Sequence, residues 1–124
     1  MTVAVWIAFL AGGAFGAPAR YVADGYLDSR TSGALPWGTF AVNAAGSLLL
    51  GALTGLALHH GLDPDTRTVL GTGFCGAFTT FSTFTFETIR LAEDGATTSA
   101  MLNVAANTFV GMMAAGLALA LTSL

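Results

Sequence analysis

Between Gly73 and Phe86 the chain reads GFCGAFTTFSTFTF. Phe78, Phe81 and Phe84 recur every third residue there, beside a ridge of hydroxyls at Thr79, Ser82, Thr85 and Thr88. A phenyl ring donates no conventional hydrogen bond, yet its edge is electropositive and its face electronegative. Ring edges turned toward a path attract an anion weakly. With an amide such as that of Asn43 and nearby hydroxyls, they would hold a small, strongly hydrated anion without the trap of a full positive charge. Weak binding at several sites is what conduction needs. On the residues alone, a phenylalanine stripe packed in a core is the simpler reading.

Whether these groups meet water or hydrocarbon follows from the composition. The chain has 124 residues, 54% of them hydrophobic and only 9% charged, against about 25% charged in soluble domains. The charges fall in Arg20 to Arg30, Asp63 to Arg67 and Glu87 to Asp94, which leaves residues 1–19, 31–62, 68–86 and 95–124 uncharged. Each stretch reaches the ~18 residues that a helix needs to cross ~30 Å of hydrocarbon. The reading is an all-α membrane protein of four transmembrane helices at about 2–22, 37–59, 66–92 and 96–122, forming a single domain over 1–124. Gly33 with Pro36, Gly61 with Pro64, and Gly95 mark the loops. A soluble bundle would repeat charges along one face of every helix, and none do. A lone strand crossing lipid would leave its backbone groups unpaired.

Other classes are excluded or disfavoured. Ala17-Pro18-Ala19 resembles a signal cleavage site, but no Lys or Arg precedes the apolar run. Cys75 is alone, so no disulfide forms within the chain, and its plain role is packing. The net charge of −3 gives no reason to expect nucleic acid as a partner. No phosphate loop, zinc-ligand set or nucleophile and base pair is visible, and His59 and His60 read as loop residues, with metal binding a remote alternative.

Polar groups in hydrocarbon need partners, so their spacing is informative. Thr39, Asn43, Ser47 and Thr54 lie along one side of the second helix, while Asn103 and Asn107 stand one turn apart above Gly111 in the fourth. Any one of them alone is better read as polar glue between helices. Gly71, Gly73 and Gly76 weaken the third helix before the phenylalanines, and an unwound turn there would expose carbonyls suited to a hard cation. Tight packing is the alternative. Gly12 with Gly16, Gly51 with Gly55, and Ala115 beside Gly111 and Gly116 favour close helix contacts.

Four helices enclose little space, so a partner subunit is expected. The chain has no Lys, and Arg20, Arg30 and Arg90 lie on one face against Arg67 on the other. So weak a bias permits insertion in both directions, although a fixed topology with the three-Arg face inside is the simpler default.

The segments GFCGAFTTFSTF, VNAAGS around Asn43, and GAPARY ending at Tyr21 together resemble the small fluoride channel family called Fluc or CrcB. The resemblance implies an antiparallel, dual-topology homodimer in the plasma membrane, with helix 3 broken near its middle and two pores, each built from both copies and surrounded by lipid. It implies fluoride-selective, passive export that lowers fluoride toxicity, and no enzymatic activity. Phe81 and Phe84 match the phenylalanines whose edges line the path, Asn43 the pore asparagine, and Ser82 and Thr83 the hydroxyls beside the rings. Gly76 and Thr79 match the residues whose main-chain oxygens hold a structural sodium ion at the dimer axis. Arg20 matches a vestibule arginine.

Many relatives carry Tyr and then Ser where this chain has Asn103 and Asn107; the polar track is retained, with Asn107 expected on the fluoride path. A sibling chain forming a heterodimer, with this one as a non-conducting partner, is an alternative to the homodimer. A small dual-topology, proton-coupled multidrug exporter shares the length and helix count. It needs a membrane-embedded carboxylate, absent from residues 1–19, and Glu87 is expected at the edge of helix 3 with Arg90 one turn below. A purely structural membrane subunit is the remaining rival.

Overall fold

The computed structural model describes all of residues 1–124 and is entirely helical. Helix α1 spans Val3–Arg30, started by Thr2, whose hydroxyl accepts from Val5 N. Helix α2 covers Trp37–His59. A short α3, Pro64–Arg67, is capped by Asp63, which accepts from Thr66 N at 2.9 Å, with Pro64 in the first turn, where its missing N–H costs nothing. The chain continues as a π-helix over Thr68–Cys75, tightens to α4 at Gly76–Phe78, and resumes as α5 over Ser82–Glu93. Helix α6 spans Thr97–Thr122.

Three of these helices are long and apolar enough to cross a membrane: α1, α2 and α6, with 28, 23 and 26 residues. At 1.5 Å per residue they measure about 42, 35 and 39 Å, against ~30 Å of hydrocarbon. Polarity runs opposite to that of a soluble bundle. Trp6, Ile7, Leu10, Phe15, Met112 and Leu121 face outward, whereas Thr39, Thr80 and Asn103 are buried. Buried polar side chains that hydrogen-bond between helices, with apolar ones outside, suit a lipid solvent.

The small residues sit where helices touch. On the α1 face that meets the π-segment, a Cβ added to Gly16 would stand 2.5 Å from Phe74 O. Between α2 and α6, the most extensive helix pair, a Cβ at Gly51 would collide with the backbone of Ala115. Gly116 faces open space and takes no part.

Two expectations need correction. Helix 1 does not end near residue 22 but runs on to Arg30. Its charges are helical because Asp24 and Asp28, one turn apart, face the start of α2, where Asp28 Oδ1 accepts from Gly38 N at 2.9 Å. Nor does the chain unwind at Gly71 or Gly73, although Gly76 adjoins the break. Thr68–Cys75 stays helical with widened i→i+5 bonding, and helical geometry is lost only at Thr79 (φ −79°, ψ 160°).

Candidate functional site

Departure from helix at Thr79 is set by a contact from α2. Asn43 Oδ1 accepts from Thr80 N at 2.8 Å, and Asn43 Nδ2 donates to Thr80 O at 3.0 Å. One amide thus satisfies both backbone groups of Thr80. In a continuous helix Thr80 N would close on Gly76 O; here that donor is diverted, and Gly76 O loses its helical partner. The hydroxyl of Thr80 then restarts the helix, accepting from Thr83 N at 3.1 Å and donating to Thr83 Oγ1 at 3.0 Å.

Beside this turn lies a cavity of about 380 Å³. Asn43, Gly46, Ser47 and Leu50 line it from α2, Gly71 and Cys75 from the π-segment, and Asn107 and Thr108 from α6. Gly76, Thr79, Thr80, Phe81 and Phe84 complete the wall. The rings of Phe81 and Phe84 are 5.8 Å apart at 50°, and Phe81 is 78% exposed.

From the cavity an amide ladder runs along α6. Asn43 Nδ2 also donates to Asn107 Oδ1 at 3.4 Å; Asn107 Nδ2 donates to Asn103 O at 3.0 Å and Asn103 Oδ1 at 2.9 Å. Asn103, only 3% exposed, donates to Thr88 Oγ1 at 2.9 Å, and Thr88 donates to Phe84 O at 2.8 Å. Further along, Thr39 donates to Glu87 Oε1 at 3.0 Å, with Asp24 Oδ1 at 3.5 Å. Glu87 Oε2 is buried without a partner.

The site residues expected from the sequence divide accordingly. Asn43, Phe81, Phe84, Asn107, Gly76 and Thr79 meet at one cavity. Ser82 and Thr83 do not line it; their hydroxyls contact Thr80 Oγ1 behind the turn. Arg20 Nη1 donates to Thr79 O at 3.3 Å from the α1 side. Thr54 does not join the stripe on α2, because it bonds back to Leu50 O. The hydroxyl ridge is similarly self-satisfied: Thr79, Thr85 and Thr88 bond the carbonyls of Cys75, Phe81 and Phe84, four residues back. The phenylalanine ridge splits, since Phe78 stacks on Phe74 (5.5 Å, 12°) on the near side of the turn.

Thr80 and Thr108 are the residues that sequence reasoning missed, and Glu87, expected at the edge of helix 3, turns inward to Thr39 instead. For Thr80 the sequence offers only a hydroxyl residue of a type that favours helix starts, without the Glu or Gln three residues on that would complete a capping box. His60, read as a loop residue, closes α2, and its Nε2 lies 2.8 Å from Thr122 O.

Outward-facing apolar helices around hydrogen-bonded, inward-facing polar side chains define a small multi-pass membrane protein. A family model described as CrcB-like protein, Camphor Resistance (CrcB), matches residues 7–119. The chain belongs to the CrcB family, the one its motifs resemble. It is 47% identical over 110 residues to the fluoride-specific ion channel FluC 1 of Streptomyces avermitilis, covering 89% of each chain. To FluC 1 of Symbiobacterium thermophilum it is 49% identical over 118 residues, 94% of this chain and 95% of the relative. With FluC 2 of Mycobacterium tuberculosis it shares 42% over 115 residues, 93% and 88% of the two chains.

Proposed function

We propose that this protein is a fluoride-selective channel of the plasma membrane that lets cytoplasmic fluoride leave passively. The observation that carries the reading is one cavity holding the Phe81 and Phe84 rings beside the Asn43 amide, in a chain whose relatives are named fluoride-specific ion channels. Ring edges and an amide replace part of the water shell of a small anion, and no cationic side chain lines the cavity to trap it. Fluoride crosses acidified surroundings as neutral HF, ionises inside and is held there. A negative-inside potential drives the anion outward with about 2.3 kcal/mol per charge for each 100 mV, and no fuel is required.

The fourth crossing is Pro64–Glu93, interrupted at Thr79–Phe81. The working unit is an antiparallel homodimer whose two copies each complete the other's path. The wide exposure of Phe81 supports this arrangement, since a lone protomer leaves that ring and the cavity uncovered on one side. Within that dimer Gly76 O and Thr79 O fit a structural sodium ion. Gly76 O is released from helical bonding, and Thr79 O, which accepts from Arg20 with one lone pair, keeps a second for a hard cation. Arg20, bonded to Thr79 O, steadies the same turn from the vestibule side. Such an ion would hold the two turns together at the dimer axis and is not itself transported.

The test is a fluoride-electrode measurement on liposomes containing the purified protein. Fluoride release with almost no chloride release is expected, and equal release of both rejects the selectivity. Opposite accessibility of one labelled loop in the two halves of the population is expected for dual topology; uniform labelling rejects it.

A further inference from the structure

The amide ladder presents an oxygen, not a donor, to the site where the anion is expected. Asn103 O is a backbone carbonyl and only accepts, so the Asn107 atom 3.0 Å from it is Nδ2. That nitrogen also meets Asn103 Oδ1 at 2.9 Å. Asn103 is oriented in turn, because the single hydroxyl hydrogen of Thr88 goes to Phe84 O and leaves Thr88 Oγ1 to accept from Asn103 Nδ2. Asn107 Oδ1 is therefore turned toward α2. Asn43 is oriented just as firmly by the N–H and carbonyl of Thr80. One Asn43 N–H remains beyond Thr80, and its partner is Asn107 Oδ1 at 3.4 Å, at the long, weak end of the hydrogen-bond range. Asn43, Thr80 and Asn107 all line the same cavity, with Asn103 and Thr88 behind them.

We infer that Asn107 Oδ1 is an internal competitor of the permeating anion, accepting the one Asn43 N–H that fluoride would take. The inference rests on the fluoride reading above and adds a reason for weak binding. An empty site keeps its donor satisfied by a poor neutral acceptor. An arriving fluoride makes a shorter, charge-assisted bond and displaces it, and the returning amide oxygen helps the anion leave. Asn107 sets affinity by opposing the ion, which is the reverse of the donor role that its place on the path first suggests.

The experiment is fluoride flux from liposomes as a function of fluoride concentration, for the full chain and for Asn107→Ala. Removing the competitor lowers the half-saturating fluoride concentration about fivefold, the size of one weak neutral hydrogen bond, and lowers the maximal rate as release slows. Asn107→Ser covers the case in which the alanine protein does not insert. A serine hydroxyl bonds back to the carbonyl four residues earlier, withdrawing the oxygen from Asn43 and shifting half-saturation the same way. A residue that merely positions Asn43 gives the opposite sign, so an unchanged or raised half-saturation in the inserted variant overturns the inference while the channel reading stands. An unsubstituted protein that releases no fluoride removes both.

Discussion

Asn43 and Thr80, 37 residues apart, are joined by two hydrogen bonds in which a side-chain amide takes the place of a helical backbone partner. This pair creates the non-helical turn at Thr79–Phe81 and puts the Phe81 and Phe84 rings against the same cavity as α2. Asn43→Asp therefore removes more than a polar lining. Its carboxylate still accepts from Thr80 N but sets an oxygen against Thr80 O. The expected result is fluoride release reduced at least about tenfold, equivalent to roughly 1.4 kcal/mol on the barrier, with the elution volume on size-exclusion chromatography unchanged.

Phe81 shows the converse separation. Because its ring is largely exposed within the protomer, Phe81→Ile should leave protomer stability within about 0.5 kcal/mol. Fluoride flux should nevertheless fall about tenfold, on the same barrier scale. Retained flux, measured by the electrode under identical loading, would place the path elsewhere.

The helix contacts allow a paired comparison. Gly51→Ala places a methyl into the Ala115 backbone, and overpacking of this kind costs about 1–3 kcal/mol. Gly116→Ala meets nothing within 4 Å and should gain up to about 1 kcal/mol from helix propensity. Unfolding in detergent reads both signs.

Thr39 and Glu87 form the second buried polar pair. Thr39→Val leaves Glu87 Oε1 without its donor next to an already unpartnered Oε2, a loss of about 1–3 kcal/mol. Glu87→Gln keeps an acceptor for Thr39 and removes an ionisable group beside Asp24, so it should be neutral or stabilising in the same unfolding assay. Equal destabilisation by both variants would contradict the geometry.

If Gly76 O and Thr79 O hold sodium, replacing sodium with a large organic cation on both sides should abolish flux and weaken the dimer. Restoring sodium should reverse both effects. Unchanged dimer and flux after exhaustive exchange count against the site.

What could be read in advance depended on the range of the interactions. The bounds of α2 at Trp37 and His59 were visible because Pro36 and Gly61 punctuate an otherwise uncharged run. Helix α1 was read eight residues short because Asp24, Asp28 and Arg30 look like a loop until the start of α2 is seen beside them. Glycine density pointed to the correct helix, but Gly71 and Gly73 stay helical and only the carbonyl of Gly76 is released. Glycine only permits a departure from helical bonding, whereas Asn43 imposes one at Thr80. No local pattern reports a partner 37 residues away. The split between Phe78 and Phe81 was hidden for the same reason.

The clamp on Thr80 also has an order in time. Since α2 precedes Thr80 in the chain, a growing polypeptide delivers the asparagine before the segment it bends. Moving the asparagine to a later helix would reverse that sequence of events, leaving the turn to form first as an ordinary helix that must afterwards be pried open.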